Sequence, residues 1–175
     1  MKELEELKEN IFNYAKEIGK EVWFYPEYQG VKGFLGEQDI ILLGLNPSSG
    51  NFPSKQDKKL YNLLKEKGFE YIHITDFIKI RAKNKHVSEL ITNEELMKKQ
   101  ANFFSDEILI IKPKIIIAMG NRCLNLLKQY FPKIDSLCKV FQIKHYGYRF
   151  DTQEKLFNEI SNQLEDIKKE YQIIK

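Results

Sequence analysis

A chain of 175 residues, 42% hydrophobic, is long enough to bury a core without disulfide or metal staples. Its 28 basic and 25 acidic residues leave a formal net charge of +3, too small to name a nucleic-acid partner, so any basic face must come from local clustering. Two cysteines, Cys123 and Cys138, stand apart with no C-x-x-C and no histidine nearby, which argues against zinc, a cluster or a disulfide framework and for buried free thiols.

The first ten residues, MKELEELKEN, are charged and helical rather than a signal sequence, and no apolar run approaches a membrane span, so a cytoplasmic protein is expected. Leu4, Leu7, Ile11, Tyr14, Ala15 and Ile18 recur at helical spacing up to Gly19, which stops the helix. The aromatic stretch EVWFYPEYQGVKGFLG, broken by Pro26, reads as an edge strand and then a loop, with Trp23 and Phe24 in the core. The apolar run from Ile41 is too short for a helix and reads as a buried strand. It stops abruptly at Gly44-Leu45-Asn46-Pro47-Ser48-Ser49-Gly50.

Ser54 opens a helix carrying Leu60, Leu63 and Leu64 to Gly68. Tyr71 to Phe77 forms a second strand leading into the basic loop IKIRAKNKH. Thr92, with Glu95 three residues on, predicts a capping box for a long helix that turns Leu96, Phe103, Phe104, Ile108 and Ile111 inward until Pro113. Lys114 to Met119 is a third strand, followed by Gly120-Asn121 and a helix with Leu124 and Leu127. Cys138 to Lys144 is a fourth strand ending at HYGYRF, and Asp151 with Glu154 caps a last helix whose Leu156, Ile160, Leu164 and Ile167 form one stripe. This alternation predicts one domain over 1–175: a three-layer α/β/α sandwich around a central, mostly parallel four-stranded sheet.

Parallel topology gathers the four strand ends on one edge, where ligands of open α/β sheets bind. Asn46, Asp76, Asn121 and His145 meet there. Taken alone, the Gly44–Pro47 turn has two readings. Gly44 can admit a ligand close to the backbone while Asn46 presents a carboxamide, or the turn is an ordinary strand-to-helix connection with Asn46 bonded to its own loop.

Gly44-Leu45-Asn46-Pro47-Ser48 resembles the first motif of the uracil-DNA glycosylase superfamily, Gly-x-Asn/Asp-Pro, in the Asn form of its mismatch-specific and single-strand-selective branches. Tyr71 to Arg81, Thr92 to Glu95 and Lys112 to Gly120 resemble the middle of the thermophilic, iron-sulfur branch. His145-Tyr146-Gly147-Tyr148-Arg149 occupies the place of the final His-Pro-Ser motif. The likeness runs from about Gly36 to Arg149 with three departures: the cluster cysteines are missing, Tyr146-Gly147 replaces Pro-Ser, and Asp76 stands where many members read the base with Asn.

The resemblance implies a monofunctional DNA glycosylase of base excision repair, acting as a monomer on DNA with damaged or mismatched bases and needing neither metal nor other cofactor. Asn46 would hold the attacking water and His145 would donate to the base oxygen. Gly44, Leu45, Phe52 and Asp76 would form the base pocket, with Asp76 choosing between uracil and hypoxanthine, although Phe52 can equally be core and Asp76 an exposed strand end. Ser48, Ser49, Lys79, Arg81, Lys83, Lys85, His86 and Asn121 would contact the DNA, while Tyr148 or Arg149 would enter the duplex or bind a flanking phosphate. Lys85-His86 loosely resembles the basic loop in which one branch bonds covalently to the abasic sugar. The alternatives are a catalytically weak module that binds damaged or abasic DNA, and a deoxyribosyl transferase, which usually needs a carboxylate nucleophile where Asn46 stands.

Overall fold

Ile40 to Leu43 and Ile115 to Ala118 are all 0% exposed, as strands covered on both faces must be. A computed structural model describes residues 2–148 and 152–174. The strands are β1 (Gln38–Gly44), β2 (Ile72–Asp76), β3 (Ile115–Met119) and β4 (Lys139–Ile143), and every pairing is parallel, in the order β2-β1-β3-β4. The helices are α1 (Lys2–Glu17), α2 (Lys55–Glu66), α3 (Asn84–Thr92), α4 (Glu94–Ile111), α5 (Asn121–Tyr130) and α6 (Gln153–Ile174). The expected three-layer sandwich is present, with a wholly parallel sheet.

Alternation along the strands splits the core in two. Ile41, Leu43, Ile116 and Ala118 pack against α1, α4 and α5, while Ile40, Leu42, Ile115 and Ile117 pack against α2 and α6. The register brings Gly44 level with Asp76, and Met119 level with Ile143, so the β1, β3 and β4 loops leave the same edge. The chain order reverses between β1 and β3, which makes that edge the topological switch point.

Several local expectations change. The stretch from Glu21 to Tyr28 forms no strand; it makes single bridges, Val22 with Ile80 and Tyr28 with Val31. Pro26 cannot donate to a ladder, and Gly33, at φ +62°, lies so close to the Tyr25 and Pro26 carbonyls that a Cβ there would sit 2.4 Å from each oxygen, so the chain folds back on itself. The segment after β2 is not all loop, because α3 occupies Asn84–Thr92. Asn93 rather than Thr92 caps α4, accepting from the Leu96 N–H at 3.0 Å. Asp151 lies outside the described residues, and the Thr152 hydroxyl accepts from the Lys155 N–H at the start of α6. Ser54 does cap α2, in a full capping box with Asp57. Among the described residues no helix is long and apolar enough to cross a membrane.

Candidate active site

The loops after β1, β3 and β4 enclose a cleft of about 860 Å³ walled by Leu45, Asn46, Phe52, Gly120, Asn121, His145 and Tyr146. Asn46 and His145, 99 positions apart in the chain, thus line one space.

Tertiary bonds fix Asn46. Its amide nitrogen donates to the Pro47 carbonyl at 3.1 Å and to the Ala82 carbonyl at 3.3 Å. Both partners accept, so the NH2 end must point at them and the carboxamide oxygen is left for the cleft. Arg81 holds the same loop. Its Nε donates to the Ser48 carbonyl at 3.1 Å, one terminal nitrogen to the Gly50 carbonyl at 2.7 Å, and the other pairs with Glu21 at 3.0 Å.

His145 is fixed by its own turn. Its Nδ1 accepts from the Gly147 N–H at 3.0 Å, which leaves Nε2 as the protonated nitrogen of a neutral ring. Part of the imidazole is open to solvent, yet the surrounding protein desolvates it enough to hold its pKa below the ordinary histidine value. Its ring stacks on Tyr146, centroids 4.9 Å apart and planes 15° from parallel. The Tyr146 hydroxyl donates to Asp57 Oδ1 at 3.0 Å, so the Tyr25 hydroxyl, hydrogen-bonded to Tyr146, must be the donor of that second bond.

Asp76 departs from expectation. It is 4% exposed, is absent from the cleft lining and lies within electrostatic reach of Tyr25, Tyr61 and Tyr146. Direct base contact is therefore corrected to a place beneath the floor. Burial pushes its carboxyl up to about 7, with Lys79 opposing and Glu107 adding to the rise, and its Oδ2 has no hydrogen-bond partner. Gly44 also changes meaning: a Cβ there would meet Asp76 Oδ1 at 2.0 Å, so its missing side chain makes room for Asp76 rather than for a ligand.

Lys79 is not a phosphate contact. It is 1% exposed and pairs with Glu107 at 2.7 Å, while its ammonium also donates to Thr75 Oγ1 at 2.7 Å and to the Asp76 carbonyl. Arg81 is committed to the β1 loop rather than free for DNA. Lys83, Lys85 and His86 are exposed at the start of α3, outside the cleft lining, and His86 pairs with Glu89 at 3.2 Å. Ser48, Ser49, Asn121 and Tyr148 are exposed, and all but Ser49 line the cleft. Asn121 accepts from the Gln142 amide, and Arg149 lies outside the described residues.

Phe52 belongs both to the wall and to an aromatic cluster, 5.5 Å from Trp23 and from Tyr28 and 5.6 Å from Tyr61. Trp23, read as core from the sequence, packs half-buried against the α2/α6 core and also lines the cleft, while Phe24 packs inward against Phe34. Tyr25, Asp57 and Tyr146 were not singled out as site residues. The aromatic density near Pro26 is the local signal for Tyr25, and the replacement of Pro by Tyr146 in the last motif is the signal for Tyr146; Asp57 carries none.

Among the described residues no group of three or more His, Cys, Asp or Glu side chains is placed to hold a metal ion. Cys123 and Cys138 are buried and directed at the Leu43 and Ile134 carbonyls, which is not the donor set of an iron-sulfur cluster. A search of curated proteins returns no significant match. A family model described as the uracil DNA glycosylase superfamily matches residues 33–169, a span that holds all four strands and both principal cleft loops. On that match, covering well over half its length, the chain belongs to the uracil DNA glycosylase superfamily.

Proposed function

We propose that the protein is a DNA glycosylase that hydrolyses the N-glycosidic bond of a deaminated base flipped out of DNA, with uracil the first candidate and hypoxanthine the next. One observation carries the reading: an acceptor, the Asn46 oxygen, and a neutral imidazole with its proton on Nε2 line one cleft, each fixed through its other polar end.

The leaving base takes the bonding electron pair, and positive charge develops on the sugar. Asn46 accepts a hydrogen bond from a water and holds it for attack on the anomeric carbon; the water's proton passes to solvent, because a carboxamide is too weak a base to keep it. His145 donates through Nε2–H to the base oxygen on which negative charge grows. A neutral donor suits this task, and the lowered pKa of the ring favours it near pH 7. The products are a free base and an abasic sugar. Ser48 and Ser49 at the cleft mouth and Lys83 and Lys85 beside it would contact the phosphates.

The test is incubation with labelled oligonucleotides carrying one uracil, hypoxanthine or mismatch, followed by alkali. Alkali-labile breaks at the lesion with the wild-type protein, lost in Asn46→Ala, support the reading. A mobility shift without breaks favours the binding module, and neither effect removes DNA damage from the account.

A further inference from the structure

Position 146 is where the family's usual Pro gives way to Tyr, and the structure gives that tyrosine a network of its own. The Tyr146 ring stacks on the His145 imidazole, 4.9 Å between centroids. Its hydroxyl reaches across 89 positions of chain to Asp57 Oδ1 at 3.0 Å. The other oxygen of Asp57 accepts the Ser54 N–H at 2.7 Å, and the Asp57 N–H returns a bond to Ser54 Oγ at 3.1 Å. The carboxylate is therefore held at the first turn of α2 and cannot swing with the tyrosine. Tyr25, 6% exposed, completes the chain by donating to the Tyr146 oxygen.

We infer that Asp57 and Tyr146 are positioning residues for His145. The capping box of α2 fixes Asp57, Asp57 fixes the phenol, and the face of the phenol holds the imidazole in the one orientation in which Nδ1 meets the Gly147 N–H and Nε2 remains the donor. Gly147 is the second constraint. A Cβ at 147 would stand 3.1 Å from Nδ1 and 3.2 Å from Cε1 of His145, tighter than an unstrained contact, so a side chain there would press the ring off its amide. Tyr146 and Gly147 together thus replace the Pro-Ser pair by a stacked ring and a close backbone donor. The consequence for rate rests on the glycosylase reading; the effect on the ring does not.

Two readouts separate these. Nitrogen-15 NMR of the His145 ring in the full-length protein needs no substrate. In the wild type it should show Nδ1 unprotonated and Nε2 protonated, and in Tyr146→Phe, which keeps the ring and leaves Ser54–Asp57 intact, a mixture of the two tautomers. Asp57→Asn should give a smaller mixture, since its amide can still accept from Tyr146. Excision of uracil or hypoxanthine should fall about tenfold in Tyr146→Phe with KM unchanged, and Tyr146→Phe should cost nothing further in a His145→Ala background. An unchanged tautomer in Tyr146→Phe, or losses that multiply in the double variant, overturns the inference. If the wild type releases no base at all, the glycosylase reading fails while the NMR result still decides the positioning role.

Discussion

The two faces of the sheet handle polar side chains in opposite ways. Under α1 and α4, His73, Thr75, Lys79, Gln100 and Glu107 are each at most 1% exposed and face one another: Glu107 lies 2.7 Å from Lys79 and 3.3 Å from His73 Nε2, His73 Nδ1 donates to the Phe34 carbonyl at 2.6 Å, and Gln100 accepts the Lys79 N–H at 2.8 Å, while His73 Nε2 and Glu107 Oε2 make no hydrogen bond. Burial alone would raise Glu107, but Lys79 and then His73 outweigh it and hold the carboxyl below its usual range. Toward α2 and α6, Tyr25, Tyr146 and Asp57 form an oriented chain around a solvent-open cleft, and His145 keeps a free donor. Histidine serves packing on one face and is available for chemistry on the other. Access to the cleft separates the two uses, not residue type.

The largest effect should come from breaking the sealed face. Glu107→Gln leaves Lys79 without its carboxylate partner and should cost about 3–5 kcal/mol of unfolding free energy in denaturant titration. A loss near zero would mean that the buried charges are not coupled. His145→Ala on the open face should do the reverse, lowering excision by about 10²- to 10³-fold with the melting temperature nearly unchanged. A large loss of stability in that variant would erase the distinction between the faces.

Asp76 lies at the seam. Below the ordinary carboxylate range both folded and unfolded chains carry its proton; between there and about pH 7 only the folded chain does, so its contribution makes stability fall as pH rises through that window and level off above it. Asp76→Asn should remove that fall, on the order of 4 kcal/mol, and stability measured from pH 4 to 8 checks it. A profile identical to the wild type would mean that Asp76 ionises normally. The smallest effect sharpens the open face. Asn46→Asp supplies a stronger base, yet sets a carboxylate oxygen against the Pro47 and Ala82 carbonyls that now accept from the amide. The misplaced loop should lower single-turnover excision about tenfold, whereas a faster variant would show that proton abstraction, not placement of the water, limits the rate.

Much of this frame was legible in the sequence, because its signals are local. The apolar runs at Ile41 and Lys114, the Ser54 cap and the stripe from Leu156 to Ile167 each specify an element within a few residues. Parallel order then implied that Asn46 and His145 share an edge. What was hidden depends on distant partners. Lys79 and Lys83 look alike in IKIRAKNKH, and only Glu107, on a helix 28 positions later, turns Lys79 inward. In the sequence Tyr146 reads as a lost motif residue and Gly44 as a ligand contact; only the distant Asp57 gives the tyrosine a partner, and only Asp76 fills the space at Gly44. The α3 helix carries no such local signal, because its N-cap, Lys83, makes no side-chain cap bond.

The central claim is that Asn46 and His145 act on one glycosidic bond held in the cleft between them. Mass spectrometry of the free base released from an oligonucleotide with a single uracil or hypoxanthine, over equal times with wild-type, Asn46→Ala and His145→Ala protein, tests it most directly. The account predicts free base and an unbroken, alkali-labile strand from the wild type, with release severely reduced in both variants. Equal release by all three proteins, or none by the wild type from either substrate, would contradict it.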